Sequence, residues 1–181
     1  IAKKYKIIIL SDEIYSRLTF NLKYQSISNY YPEGTIVSSG LSKWCGAGGW
    51  RLGFFAIPKQ LEELKNSLKI LCSESFTSVS APIQYAAVEA YEGDHTDYLN
   101  RVKKILSFIG KYVYENIKSN SIDVKKPEGG FYIFPEFKNA KFSTSSEMCK
   151  DILTKTGVAL LPGSDFGIDP KKMIARLSYT D

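Results

Sequence analysis

The chain has 181 residues, 44% hydrophobic and 24% charged, a globular composition with enough apolar side chains for a real core. Its net charge of +5 comes from lysines scattered along the chain rather than gathered in a basic patch, which argues against a nucleic-acid partner. Three distant cysteines and one histidine argue against a disulfide framework and a zinc site, and the longest early apolar run, Ile7 to Leu10, is too short for a signal peptide or membrane span.

The first predicted element is a lysine-rich helix end in KKYK, followed at once by a strand over residues 7–10. Four apolar residues in a row suit a parallel strand covered on both faces. GTIVSS (34–39) and GFFAI (53–57) read as two further short strands. Leu61, Leu64, Leu68 and Leu71, three and four apart, predict a helix over 59–72. Pro82 fits the first turn of an alanine-rich helix reaching Tyr91, and EGDH (92–95) is a turn. Tyr98, Val102, Ile105, Ile109, Val113 and Ile117 then keep helical spacing for about twenty residues, with Gly110 as a point of bending.

Beyond Asn120 the pattern changes. IDVKK, GGFYIF, GVALL and IARLSY read as strands, with a helix near 145–156 and a tight turn at Pro162-Gly163. The aromatic group Phe131, Tyr132 and Phe134 reads as strand core, and His95 as an exposed turn residue. A boundary near residue 100 separates an α/β part from a smaller α+β part. Both ends fall in mid-structure, so the chain is expected to be cut from a longer protein.

Three segments carry residues suited to chemistry. In SDEIY, Asp12 lies at the carboxyl end of the first strand, where open α/β sheets bind ligands, and Tyr15 follows three residues on. A capping or turn carboxylate is the plainer account of Asp12 taken alone. SSGLSKWCGAGGWRLG (38–53) brings an amine, several hydroxyls, glycines and a guanidinium into one loop. The amine of Lys43 can attack a carbonyl, while hydroxyls and Arg51 suit a phosphate. The spacing is neither a Rossmann fingerprint nor a Walker loop. Only four of the basic residues are arginine: Arg17, Arg51, Arg101 and Arg176. Arg176 sits in the last strand, where a planar fork could grip a carboxylate.

Together, SDEIY, GLSKWCGAGGWRLGFF, PEGGFYIFPEF, GVALLPGSDFG and ARLSY occur in the order that characterises a known family. The chain resembles the C-terminal portion of the class I/II pyridoxal-phosphate (PLP) aminotransferases of fold type I, aspartate aminotransferase-like. The resemblance implies an α/β fold: residues 1–99 as part of a large PLP-binding domain, a mostly parallel sheet with helices on both faces, and residues 100–181 as a linking helix with an incomplete small α+β domain. It implies pyridoxal 5′-phosphate as cofactor, held as a Schiff base on Lys43, which also shuttles the proton. Asp12 is implied to pair with the pyridine nitrogen and Tyr15 to bond the ring hydroxyl. Arg51, with Ser39 or Ser42, is implied to hold the phosphate, and Arg176 the α-carboxylate of the substrate. Gly40 stands three residues before the lysine, where some relatives carry a hydroxyl.

The implied reaction moves an amino group between an α-amino acid and a 2-oxo acid in a cytoplasmic homodimer, with no nucleic-acid or membrane partner. A lyase or synthase of the same scaffold, or a non-catalytic PLP-binding regulatory module, are the competing readings. The family's upstream half is absent from these residues, so the isolated fragment is expected to be weakly active or inactive.

Overall fold

The computed structural model describes residues 1–20 and 23–180. The chain divides into two compact units, Ile1–Leu99 and Asn100–Asp181, the division falling within one long helix.

In the first unit, a single helical turn, α1 (Ala2–Tyr5), ends on Lys6 in the left-handed region. Strand β1 (Ile9–Asp12) follows. It pairs in parallel with β2 (Thr35–Gly40), Ile9 opposite Thr35 and Asp12 opposite Ser38. Strand β3 (Gly53–Ala56) returns antiparallel on the other side of β2, giving the order β1-β2-β3. The strand therefore starts later than the apolar run that signals it. Ile7 and Ile8 stay about half exposed, and Leu10 is 63% exposed rather than covered on both faces. Strand alternation puts Leu10 and Asp12 on the exposed face of β1 and Ile9 and Ser11 on the partly buried one. Helices α2 (Glu62–Phe76) and α3 (Ala81–Glu92) follow, the latter with a proline in its first turn. The half-buried stripe of α2 is Leu64, Leu68 and Cys72, with Leu71 facing out. Leu18 and Leu41 are wholly buried, each worth about 1.5–3 kcal/mol.

Helix α4 (Thr96–Ile117) runs for 22 residues. Within the second unit its packed face is Leu106, Ile109, Gly110, Val113 and Ile117, while Ile105 points outward. Gly110 is there for close approach: a Cβ would stand 2.9 Å from Pro127 Cγ and 3.0 Å from the Tyr179 ring. Strands β4 (Ile122–Asp123) and β6 (Glu136–Phe137) pair antiparallel. Strand β5 (Tyr132–Ile133) pairs antiparallel with β8 (Ala175–Ser178), and β8 with β7 (Leu161–Pro162), in the order β5-β8-β7. Helix α5 (Ser145–Thr156) is closed at both ends. Thr144 Oγ1 accepts from the Glu147 amide, Glu147 accepts from the Ser143 amide, and Gly157 ends the helix in the left-handed conformation. Its inner face, Met148 and Cys149, packs with Met173 and Ala175. A second cluster joins Val124, Ile133 and Tyr179, whose hydroxyl donates to Gly130 O at 2.9 Å.

Candidate active site

The first unit gathers six of the seven residues singled out by sequence at one end of its parallel strand pair. Asp12 is the last residue of β1, and Ser38, Ser39 and Gly40 close β2 beside it. The ladder continues one step further, with the Glu13 amide donating to Ser38 O at 2.8 Å. This places the two strand ends side by side, where ligands of open α/β sheets bind. Asp12 Oδ1 accepts from the Ile14 amide at 3.2 Å, a turn contact that leaves the carboxylate exposed. Its neighbour Glu13 faces the other way. It is buried, and its Oε1 accepts from Ser26 Oγ at 2.6 Å and Ser11 Oγ at 3.1 Å. Two adjacent acids thus take different tasks: Glu13 anchors the segment and Asp12 projects from it.

Lys43 lies in the loop after β2. Leu41, Trp44 and Ala47 are buried, three apart, and pin this loop to the unit. The Leu41 amide donates to Leu52 O at 3.3 Å, and the Ala47 amide donates to Leu41 O at 3.3 Å. Ser42 and Lys43, between the anchors, are left half-exposed. Trp44, at 2% exposure, packs edge-on to Tyr91 and carries the Arg17 guanidinium 4.4 Å over its ring. The Lys43 ammonium stands 5.9 Å from the Tyr15 ring centroid, so the amine and the phenol share one region.

The glycines of the loop have particular duties. Gly46 has φ +66°, a left-handed conformation that side chains rarely adopt. A Cβ on Gly40 would lie 2.5 Å from Leu52 O, so no side chain fits between β2 and β3 there. A hydroxyl three residues before the lysine is therefore excluded in this packing. Gly48 lies against Ser42, with an added Cβ 3.7 Å from Ser42 O. Arg51 Nη1 donates to Gly48 O at 2.8 Å, and its backbone sits at φ 54°, ψ 41°. A non-glycine residue held there costs of order 1–3 kcal/mol, and such strain gathers at functional sites. Gly48 thus brings Ser42 and Arg51 together. Ser39 is opposite Phe54 in β2, and strand alternation puts it on the sheet face away from Ser38 and Asp12.

Arg176 belongs to the second unit. It lies on β8 with its guanidinium 4.3 Å from the Tyr132 ring centroid and 4.8 Å from that of Phe166. This corrects the reading of the nearby aromatics as uniform core. Phe131 packs against the Val124 cluster, but Tyr132 serves the arginine and Phe134 is 41% exposed. Strand period explains it: alternate residues of so short a strand face opposite ways. Sequence reasoning also missed Glu13 and Trp44. A buried acid beside an exposed one, and a tryptophan beside a loop lysine, were the signals available.

The donor set of the first unit is a primary amine, a phenol, a carboxylate, a hydroxyl and a guanidinium. It fits an anionic aldehyde with a protonated ring nitrogen. The amine meets the carbonyl, the carboxylate the cationic nitrogen, and the guanidinium and hydroxyl the phosphate. No group of three or more His, Cys, Asp or Glu suited to a metal occurs among the described residues.

The sequence pattern of the family described as aminotransferase class I and II matches residues 1–181. A probable N-acetyl-LL-diaminopimelate aminotransferase of Bacillus subtilis is 40% identical over 91% of this chain and 40% of its own length. Among solved structures, an alanine aminotransferase from Pyrococcus furiosus matches with a TM-score of 0.85 and 31% identity, over 98% of this chain and 46% of that one. An aromatic aminotransferase from Pyrococcus horikoshii matches with a TM-score of 0.87 and 29% identity, over 99% of this chain and 48% of that one. The 181 residues thus span less than half the length of these relatives.

Proposed function

The chain belongs to the class I and II aminotransferases, and from that premise we propose that the whole protein transfers an amino group between an α-amino acid and a 2-oxo acid with pyridoxal 5′-phosphate. The observation that carries this reading is the placement of Lys43. It stands in a loop pinned by buried neighbours, beside Tyr15 and beyond the strand end that presents Asp12. The matched relatives differ in the amino acid their names give, and amino transfer is what the names share.

Each residue has a task that follows from its chemistry. When bound, pyridoxal phosphate supplies an electron-withdrawing ring that stabilises negative charge at the substrate α-carbon. Lys43 Nζ would hold the cofactor, and its amine is the group placed to take up and return a proton at the substrate α-carbon. The Asp12 carboxylate would hold the protonated ring nitrogen, the opposite charges favouring the ionised pair. The Tyr15 phenol would bond the ring hydroxyl. Arg51 and Ser42, gathered about Gly48, would hold the phosphate, a reading the strand alternation favours over Ser39. Arg176 offers its planar fork to the substrate α-carboxylate.

The proposed transfer is of the ping-pong kind, the first product leaving before the second substrate binds. Three free, scattered cysteines suit a reducing cytoplasmic compartment, and we assign the whole protein to a homodimer there. The matched relatives are more than twice as long, and the exposed Leu10, Phe54 and Phe55 fit a sheet that takes further cover from polypeptide beyond these residues. The 181-residue piece alone is accordingly expected to be weakly active or inactive. The test is transfer of isotopic nitrogen from a panel of amino acids to 2-oxoglutarate by the whole protein. Labelled glutamate is expected. Consumption of an amino acid with release of free ammonia, or no turnover by a protein that has bound the cofactor, would count against amino transfer.

A further inference from the structure

We propose that Tyr132 and Phe166 are positioning residues that clamp the Arg176 guanidinium between two aromatic rings, presenting its N–H edge to a carboxylate. The inference rests on the reading of Arg176 as the substrate-carboxylate grip.

Strand register provides the first half of the clamp. Tyr132 of β5 is opposite Ser178 of β8, and Ile133 is opposite Leu177. Alternation then divides β8 into two faces. Ala175, Leu177 and Tyr179 turn to the core, and Ala175 and Tyr179 are buried. Arg176 and Ser178 turn to the other face, which Tyr132 shares. Tyr132 and Arg176 are thus diagonal neighbours, close enough for long side chains to meet, and the guanidinium carbon lies 4.3 Å from the ring centroid.

The second half comes from the turn after β7. Gly163–Phe166 forms a short 3-10 turn, closed by Gly167 in the left-handed conformation. The Gly163 amide donates to Ile174 O at 2.8 Å, and a Cβ on Gly163 would stand 2.9 Å from that oxygen. Glycine at 163 therefore lets the turn sit directly against the chain leading into β8. The turn delivers Phe166 to within 4.8 Å of the guanidinium carbon. Phe134 braces Phe166 edge-to-face, with centroids 5.5 Å apart and an interplanar angle of 84°. The PGSDFG segment is thereby given a task that its composition alone did not reveal.

The chemistry suits a carboxylate. A guanidinium is weakly hydrated on its faces and donates hydrogen bonds in its plane. Aromatic rings attract the cation through those faces and leave the edge to a bidentate partner. Among the described residues, Arg176 has no carboxylate partner to compete for that edge. The rings also reduce the rotamers that a long side chain must give up on binding, so the fork is pre-organised.

The test uses the whole, cofactor-loaded protein with propionate, a carboxylate that has no amino group to react. The Arg176 Nε–H resonance is assigned by its loss in Arg176→Leu. In the wild-type protein it is expected to be displaced by the ring currents and to move on titration with propionate. Tyr132→Leu and Phe166→Leu are expected to return it toward the ordinary arginine position and to weaken propionate about tenfold. Tyr132→Phe, which keeps the ring, is expected to bind as the wild type does, with the visible absorption of the cofactor unchanged throughout. An undisplaced wild-type resonance, which needs no variant to fold, would overturn the proposal. So would wild-type propionate affinity in both leucine variants. Should Arg176→Leu itself bind propionate normally, the carboxylate-grip reading fails first and the clamp with it; should only the ring variants bind normally, the clamp alone fails.

Discussion

The Arg17 guanidinium lies 4.4 Å from the centre of the Trp44 ring, and Trp44 is the residue next to Lys43. Arg17 also reaches Tyr91 at 5.4 Å, which packs edge-on against Phe54. The lysine loop is thus tied to the end of α3 and to β3 through one aromatic group. Trp44→Ala should remove a wholly buried indole and cost about 3–5 kcal/mol of stability. Trp44→Phe should recover part of it. Urea or thermal unfolding followed by circular dichroism reads both; an unchanged midpoint in Trp44→Ala would show that the indole does not anchor the loop.

Gly40 offers a second test of the packing behind Lys43. A Cβ there meets Leu52 O at 2.5 Å and Gly53 Cα at 3.1 Å, both backbone atoms that cannot swing aside. Gly40→Ser, which restores a hydroxyl three residues before the lysine, is expected to destabilise by about 1–3 kcal/mol rather than strengthen phosphate binding. The same unfolding experiment, with a titration of pyridoxal phosphate, checks it. A stable variant with tighter cofactor binding would contradict the geometry.

Tyr179 predicts an alkaline limb in the stability of the second unit. Burial pushes its phenol up to about 12 from an ordinary 10.0, and its hydroxyl donates to Gly130 O. The neutral form is the one that folding favours. Its contribution is therefore complete below the unfolded pKa and is lost as pH rises from about 10 through about 12. Denaturant midpoints from about pH 9 to 12 should fall more steeply in the wild type than in Tyr179→Phe. Parallel curves for the two proteins would remove Tyr179 as the cause.

The cysteines should differ in reactivity. Burial pushes the Cys149 thiol up, and the nearby Asp165 charge adds to the shift, so little thiolate forms near neutral pH. Cys45 and Cys72 are half-buried. Iodoacetamide at about pH 8 should label these two first and reach Cys149 after unfolding. Peptide mapping of the native protein reads the order; early labelling of Cys149 would contradict its burial with Met148 and Met173.

Much of this was legible in the sequence, for identifiable reasons. The helix near 145–156 was read from sequence, and its ends are set locally by Thr144, Glu147 and Gly157, without distant contacts. The candidate site could be proposed from sequence because Asp12 follows an apolar strand and Lys43 and Arg51 share one glycine-rich loop. What was not legible depends on contacts between distant segments. The exposure of Ile7, Ile8 and Leu10 follows from where β1 begins and which of its faces is covered, which an apolar run does not report. The choice between Ser42 and Ser39 depends on strand alternation and on Gly48. The split among Phe131, Tyr132 and Phe134 depends on the register of β5 with β8. Gly110 reads as a bend from sequence and proves to be a point of contact with Pro127 and Tyr179.

Lys43 is one among twenty lysines, and we propose that it carries the cofactor. The most direct measurement is borohydride reduction of the whole protein loaded with pyridoxal phosphate, followed by proteolysis and mass spectrometry. The reduced pyridoxyl group is expected on the peptide that contains Lys43, and is expected to be lost together with the visible absorption in Lys43→Ala. Stoichiometric attachment at a different lysine in the wild-type protein, or full retention of the group in Lys43→Ala, would contradict it.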